Sequence, residues 1–178
     1  MDNLVDNAVE RHIILLGFMG SGKTTIGRLL GGHLGRPFVD LDDSIEAVTG
    51  KTISGIFAAD GEDAFRDAEA QALVGLLAAA AGPHVIALGG GAFAQQRNRD
   101  TIAAAQAVTV FLECPLDTMR ERCAGFTHRP LAGDPAAFAR LYAERLPHYQ
   151  RAAQVVSTGT GTPEDAVAAI AELLKRGL

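Results

Sequence analysis

The chain predicts an α/β fold built on a parallel sheet, and two observations carry that reading. Short apolar runs recur at residues 12–16, 37–41, 84–88, 108–112 and 154–157, each too short for a helix and apolar enough for a strand buried on both faces. Longer patterns of helical period lie between them, at 23–34, 44–81 with breaks near Gly50 and Gly61, 95–105, 116–123, 135–153 and 163–176. Strands that alternate with crossover helices run parallel and gather ligands at their carboxyl ends.

At 178 residues, 48% of them hydrophobic and 21% charged, the chain is expected to form one domain over 1–178 with a real core. The longest apolar stretch, 72–81, is interrupted by Gly75 and is too short to span a membrane, so no membrane partner is expected. The opening residues are acidic where a secretory signal would be basic, which points to a cytoplasmic protein. A net charge of -5 opposes broad electrostatic binding of nucleic acid, so any anion must be met locally. Cys114 and Cys123 are nine apart with no CxxC, and the five His show no ligand spacing; neither a zinc site nor a disulfide framework has a basis.

Residues 17–24, Gly-Phe-Met-Gly-Ser-Gly-Lys-Thr, fit GxxxxGK[ST] and fall where that motif must fall, after the first strand and before the first helix. Glycines let successive N–H groups turn toward phosphate oxygens, Lys23 reaches the β- and γ-phosphates, and Thr24 offers an oxygen to a magnesium ion. Asp40 and Asp42 close the second strand two residues apart, a spacing that points both carboxylates the same way, one toward a metal and one toward an attacking hydroxyl. For this pair a helix cap is an equal reading, and Asp43 reads as a first-turn acid.

Arg66 and Glu69 share a helix face; they form either a solvated ion pair or a carboxylate-gripping arginine oriented by its neighbour. Gly89, Gly90 and Gly91 follow the third buried run, where a substrate can approach the backbone closely. Arg122, near the end of a helix, leads into a Gly- and Pro-containing loop that carries Arg129; these are either surface arginines or part of a lid in which Arg129 neutralises phosphate charge on closure. Pro147 favours a kink or a break that aims Arg145 inward.

In this order, GFMGSGKTTIGR, PFVDLDDSIE, GEDAFRDAEA, LGGGA, RPLAG and ERLPHY resemble the shikimate kinase family of P-loop phosphotransferases from about Ile13 to the last helix. The resemblance implies a three-layer P-loop kinase fold with a five-stranded parallel sheet ordered 2-3-1-4-5, a substrate-binding segment at about 41–70, a lid at about 124–135, and a monomer. It also implies ATP-dependent phosphorylation of the shikimate 3-hydroxyl, with Mg2+ as cofactor and ADP as the second product. Gly20, Ser21, Gly22, Lys23, Thr24, Thr25, Arg122 and Arg129 would bind ATP, Thr24 and, through water, Asp40 the metal. Lys23, Asp42 and Arg129 would be catalytic; Asp42, Arg66, Gly89, Gly90, Gly91 and Arg145 would hold shikimate, the two arginines taking its carboxylate. The chain departs from the family pattern at RPLAG and at Ser157, where an Asp is usual.

From the residues alone, the reading reaches a phosphotransferase acting on a small hydroxylated acid, with cyclitol, aminoshikimate and gluconate kinases as neighbours. A GTPase switch is disfavoured, because neither NKxD nor DxxG occurs. A module that binds a metabolite without turning it over leaves Lys23, Asp42 and Arg129 with nothing to do.

Overall fold

The computed structural model describes residues 11–79, 82–124 and 134–176. Five strands, β1 (Ile13–Leu16), β2 (Phe38–Asp40), β3 (Val85–Ala87), β4 (Val108–Glu113) and β5 (Gln154–Ser157), form one parallel sheet in the order β2-β3-β1-β4-β5. Among the described residues seven helices connect or follow them: α1 (Lys23–Leu34), α2 (Leu41–Thr49), α3 (Ile53–Leu77), α4 (Gln96–Ala104), α5 (Leu116–Cys123), α6 (Pro135–Tyr149) and α7 (Pro163–Lys175).

Strand periodicity divides the core between the two faces of the sheet. Ile13 and Leu15 pack with Ile26 and Leu30 of α1 and Ile170 and Leu174 of α7, whereas Ile14 and Leu16 turn to the opposite face and meet Leu41, Phe65, Phe111 and Phe138. Every residue of β1 is buried, which is why the run carries no polar alternation. The loop after β1 leads toward β2 and the chain leaving β3 crosses to β4, on the other side of β1. Loops departing in opposite directions from neighbouring strands open a crevice between them.

Two local expectations need correction, at the end of β2 and at Pro147. β2 ends at Asp40, and Leu41 already begins α2, three residues ahead of the expected helix start, because the Asp40 side chain accepts from the N–H of Asp42 and caps the helix. Both expected breaks are present: Gly50 ends α2, and at Gly61 (φ 84°, ψ 177°) the backbone leaves helical geometry and kinks α3, which resumes and runs to Leu77. A 3-10 turn, Ala92–Ala94, precedes α4. Pro147 does not break α6, which runs on to Tyr149; one missing N–H near the helix end is outweighed by the buried Tyr149 ring, stacked on Phe111 at 5.4 Å. Among the described residues no helix is long and apolar enough to cross a membrane.

Candidate active site

The phosphate loop joins β1 to α1 at the middle of the sheet. Gly20 (φ 83°) and Gly22 (φ 99°) both take left-handed conformations that a side chain would strain. Gly22 caps α1 without any side-chain hydrogen bond, so the first N–H groups of the helix face the crevice, a ready site for an anion. Lys23 arches back over the loop, its Nζ donating to the carbonyls of Gly17 at 2.7 Å and Phe18 at 3.1 Å. Ser21 is buried, and its carbonyl accepts from Thr158 Oγ1 at 3.0 Å, which fastens the loop to the end of β5.

Asp40 and Asp42 come together, but not as two residues of one strand. Asp40 is the cap and Asp42 the second residue of the helix, joined by the 3.2 Å bond from Asp42 N to Asp40 Oδ1. Capping and a place in the cleft, which the sequence offers as alternatives, are thus both true of Asp40. Its other oxygen accepts from Thr24 Oγ1 at 3.2 Å. A hydroxyl and a carboxylate oxygen beside the phosphate loop suit a hard cation that draws its remaining ligands from phosphate and water. No group of three His, Cys, Asp or Glu gathers for a metal among the described residues. Burial, reinforced by the neighbouring charge of Asp40, raises the Asp42 pKa to about 6, and Asp42 Oδ1 is buried with no hydrogen-bond partner. Asp40 is raised as well, chiefly by burial.

Each glycine of the turn after β3 lies against a different side chain. A Cβ on Gly89 would meet Asp42 Oδ1 at 2.5 Å, one on Gly90 would meet Arg145 Nη1 at 2.6 Å, and one on Gly91 would meet Arg66 Nη2 at 2.9 Å. Bare backbone is what lets an acid and two guanidinium groups close on one turn. Tyr149 pins the turn from below, its hydroxyl donating to Gly90 O at 2.6 Å; burial pushes the Tyr149 pKa up to about 12, keeping it a donor.

The pair that Arg66 forms with Glu69 is not a solvated one. Glu69 is 1% exposed and receives Arg66 Nη1 on both carboxylate oxygens at 3.2 Å. Burial raises the Glu69 pKa, and Arg66 opposes that rise. On the outer side Glu62, 65% exposed, accepts from Arg66 Nε at 3.3 Å and Nη2 at 3.1 Å.

Lys23, Thr24, Asp40, Asp42 and Arg145 line one cavity; Asp42, Phe57, Arg66 and Arg145 line the next, and the two share Asp42, Gly89, Gly90 and Arg145 as one continuous cleft. On the far side of the phosphate loop, Gly22, Thr25, Arg122, Thr158 and Pro163 line a further cavity, where Arg122 Nη2 donates to Thr158 O at 3.1 Å. Arg129 and residues 125–133 of the expected lid lie outside the described residues.

The sequence reading missed Glu62, Asn98, Tyr149 and Thr158. Two of these had a signal, since Glu62 stands four residues before Arg66 and Tyr149 four after Arg145, the spacing that shares a helix face. Asn98 and Thr158 meet their partners only through the fold.

Comparison with known proteins agrees with this geometry. The family model described as shikimate kinase matches residues 19–175. A shikimate kinase of Symbiobacterium thermophilum is 43% identical over 170 residues, covering 92% of this chain and 96% of its own. Shikimate kinase from Acinetobacter baumannii, solved in complex with shikimate, superposes with a TM-score of 0.84 at 36% identity, covering 94% of this chain and 96% of that one. A gluconokinase from Sinorhizobium meliloti, at 17% identity and a TM-score of 0.56, shares the fold alone. With a family model matching residues 19–175 and a relative 43% identical across nearly the whole length, the chain belongs to the shikimate kinase family.

Proposed function

We propose that the chain transfers the γ-phosphoryl group of ATP to the 3-hydroxyl of shikimate, giving 3-phosphoshikimate and ADP. The observation that carries this reading is the unbroken cleft in which Asp42 stands between the phosphate loop and two arginines on a glycine turn. One end suits an anionic nucleotide, the other a carboxylate, and a carboxylate base lies between them.

Backbone N–H groups of Gly20, Gly22 and Lys23 cradle the phosphates, that of Ser21 joining them on leaving Phe18 O, while Thr25 and Arg122 border the nucleoside. Lys23 leaves its loop carbonyls to reach the transferring phosphoryl group. Thr24 and, through water, Asp40 would hold a Mg2+ ion, which when bound would supply positive charge to offset the negative charge of the phosphates. Arg66 and Arg145 clamp the shikimate carboxylate with forked donors, against the backbone of Gly89, Gly90 and Gly91.

Asp42 accepts a hydrogen bond from the reacting hydroxyl and aims its oxygen at the γ-phosphorus. As the O–P bond forms and the bond to ADP breaks, the hydroxyl proton passes to Asp42. With its pKa raised to about 6, Asp42 is a stronger base than an ordinary Asp yet still ionised near neutrality. The transition state is loose, so holding the two oxygens in line matters more than full deprotonation. Arg129 would add positive charge when the lid closes.

The test is ADP release from ATP and magnesium with shikimate, quinate, gluconate and aminoshikimate, and phosphorus NMR of the product. ADP formation with shikimate and a phosphate on O3 is the expected result. Faster turnover of gluconate, or no ADP with shikimate above background hydrolysis, overturns the reading.

A further inference from the structure

Asn98, in the first turn of α4, is 1% exposed, and its place in the core is not explained by packing. Its Nδ2 donates to Ala92 O at 3.0 Å and to Glu69 Oε2 at 3.4 Å; both neighbours are acceptors, so the orientation of the amide is fixed. Its Oδ1 is buried and has no hydrogen-bond partner, a cost an apolar side chain there would avoid.

Both bonds lead to Arg66. Through Glu69, Asn98 holds the acid that grips the guanidinium from inside; through Ala92, it holds the backbone immediately after Gly91, against which the guanidinium rests. Arg99 braces the same segment, with Nη1 donating to Phe93 O and Ala94 O at 2.7 Å each. Arg66 is meanwhile drawn the other way by Glu62 at the surface. Two carboxylates compete for one arginine, and Asn98 supports only the inner one.

We propose that Asn98 is a positioning residue for carboxylate recognition: its amide ties Glu69 to the glycine turn and keeps Arg66 directed into the cleft, against the pull of Glu62. This rests on the functional reading above and deepens it. Burial and the charge of Arg66 act on Glu69 in opposite senses, and the Asn98 bond acts with Arg66 to keep Glu69 ionised. Without that bond, Glu69 loses a donor and Arg66 turns toward Glu62.

Steady-state kinetics of the full chain, with shikimate and ATP varied separately, test this. Asn98→Ala should raise the shikimate KM by about tenfold, the loss expected when a buried charged hydrogen-bond network loses one partner, with the ATP KM within twofold. Asn98→Asp keeps the volume and turns an oxygen toward Glu69 and Ala92 O, so its shikimate KM should rise at least as far and serves if Asn98→Ala does not fold. Adding Glu62→Gln removes the outward pull and should recover at least threefold of the loss. Ile102→Ala, in the same helix and 2% exposed, should lower Tm without separating the two KM values.

A shikimate KM within twofold of wild type, a parallel rise of both KM values, or a loss untouched by Glu62→Gln overturns the assignment. A wild-type chain that makes no ADP with shikimate overturns the functional reading, and this inference with it.

Discussion

Gly89 lies directly against Asp42: the carboxylate oxygen Oδ1 occupies the space where a Cβ on the glycine would stand, at 2.5 Å. Gly89→Ala should therefore displace Asp42 rather than strain the turn, and the cost should fall on chemistry. A shift of even 1 Å in a positioned base costs about 10²-fold. The expected result is a kcat lowered by roughly 10–10² with ATP affinity little changed, measured by coupled ADP assay and nucleotide titration. An unaltered kcat removes Asp42 from the role of base.

Asp42 should cost the fold stability in return for activity. A pKa raised in the folded state, here to about 6 against 3.8, gives a contribution present in full below pH 3.8 and lost as pH rises through 6. At pH 7 the buried charge is therefore a liability of roughly 1–3 kcal/mol, larger than the roughly 0.3–1 kcal/mol an acid gains in the first turn of a helix. Asp42→Asn should raise Tm at pH 7, with the gap closing as pH falls toward 4, while kcat drops. Thermal melts across that range, paired with turnover, check both signs.

Arg66→Lys and Arg145→Lys should each raise the shikimate KM more than tenfold and leave ATP binding nearly intact, since an ammonium cannot replace a planar fork. The alcohol analogue lacking the carboxylate discriminates: equal losses for acid and alcohol would detach both residues from carboxylate recognition.

His12 should make the fold acid-sensitive at the opposite end of the sheet. Its pKa is lowered, first by burial and then by His84, whose backbone N–H donates to His12 Nδ1 at 3.1 Å. A lowered folded pKa gives stability that is present above 6.5 and lost as pH falls, because protonation places a hydrogen where an acceptor is needed. Wild type should lose more Tm between pH 7 and pH 5 than His12→Asn, and identical slopes would refute the linkage.

Much of this architecture is legible in the chain because buried parallel strands announce themselves. Ile13 to Leu16 are apolar at every position, and the glycines at 17, 20 and 22 stand where only a phosphate loop needs them. Local spacing also suffices for Arg66 with Glu69. It fails for Asp40, where strand and cap begin with the same residues and the outcome is decided by one hydrogen bond. It fails wholly for Asn98 and Thr158, polar residues whose partners lie 29 and 137 positions away and are brought near only by the sheet order. Pro147 misleads for a further reason, since a buried aromatic ring two residues on holds the helix through it.

The glycine turn after β3 also constrains how the enzyme can diverge. Because Gly89, Gly90 and Gly91 are each matched to one side chain, substitutions at 42, 66 and 145 are epistatic with the turn position facing them. A shorter residue at 145 opens room for a methyl at 90, and only then does alanine there become neutral. A new substrate range is thus reached by compensated double steps, and saturation libraries that vary the turn or the side chains alone will sample mostly inactive sequences.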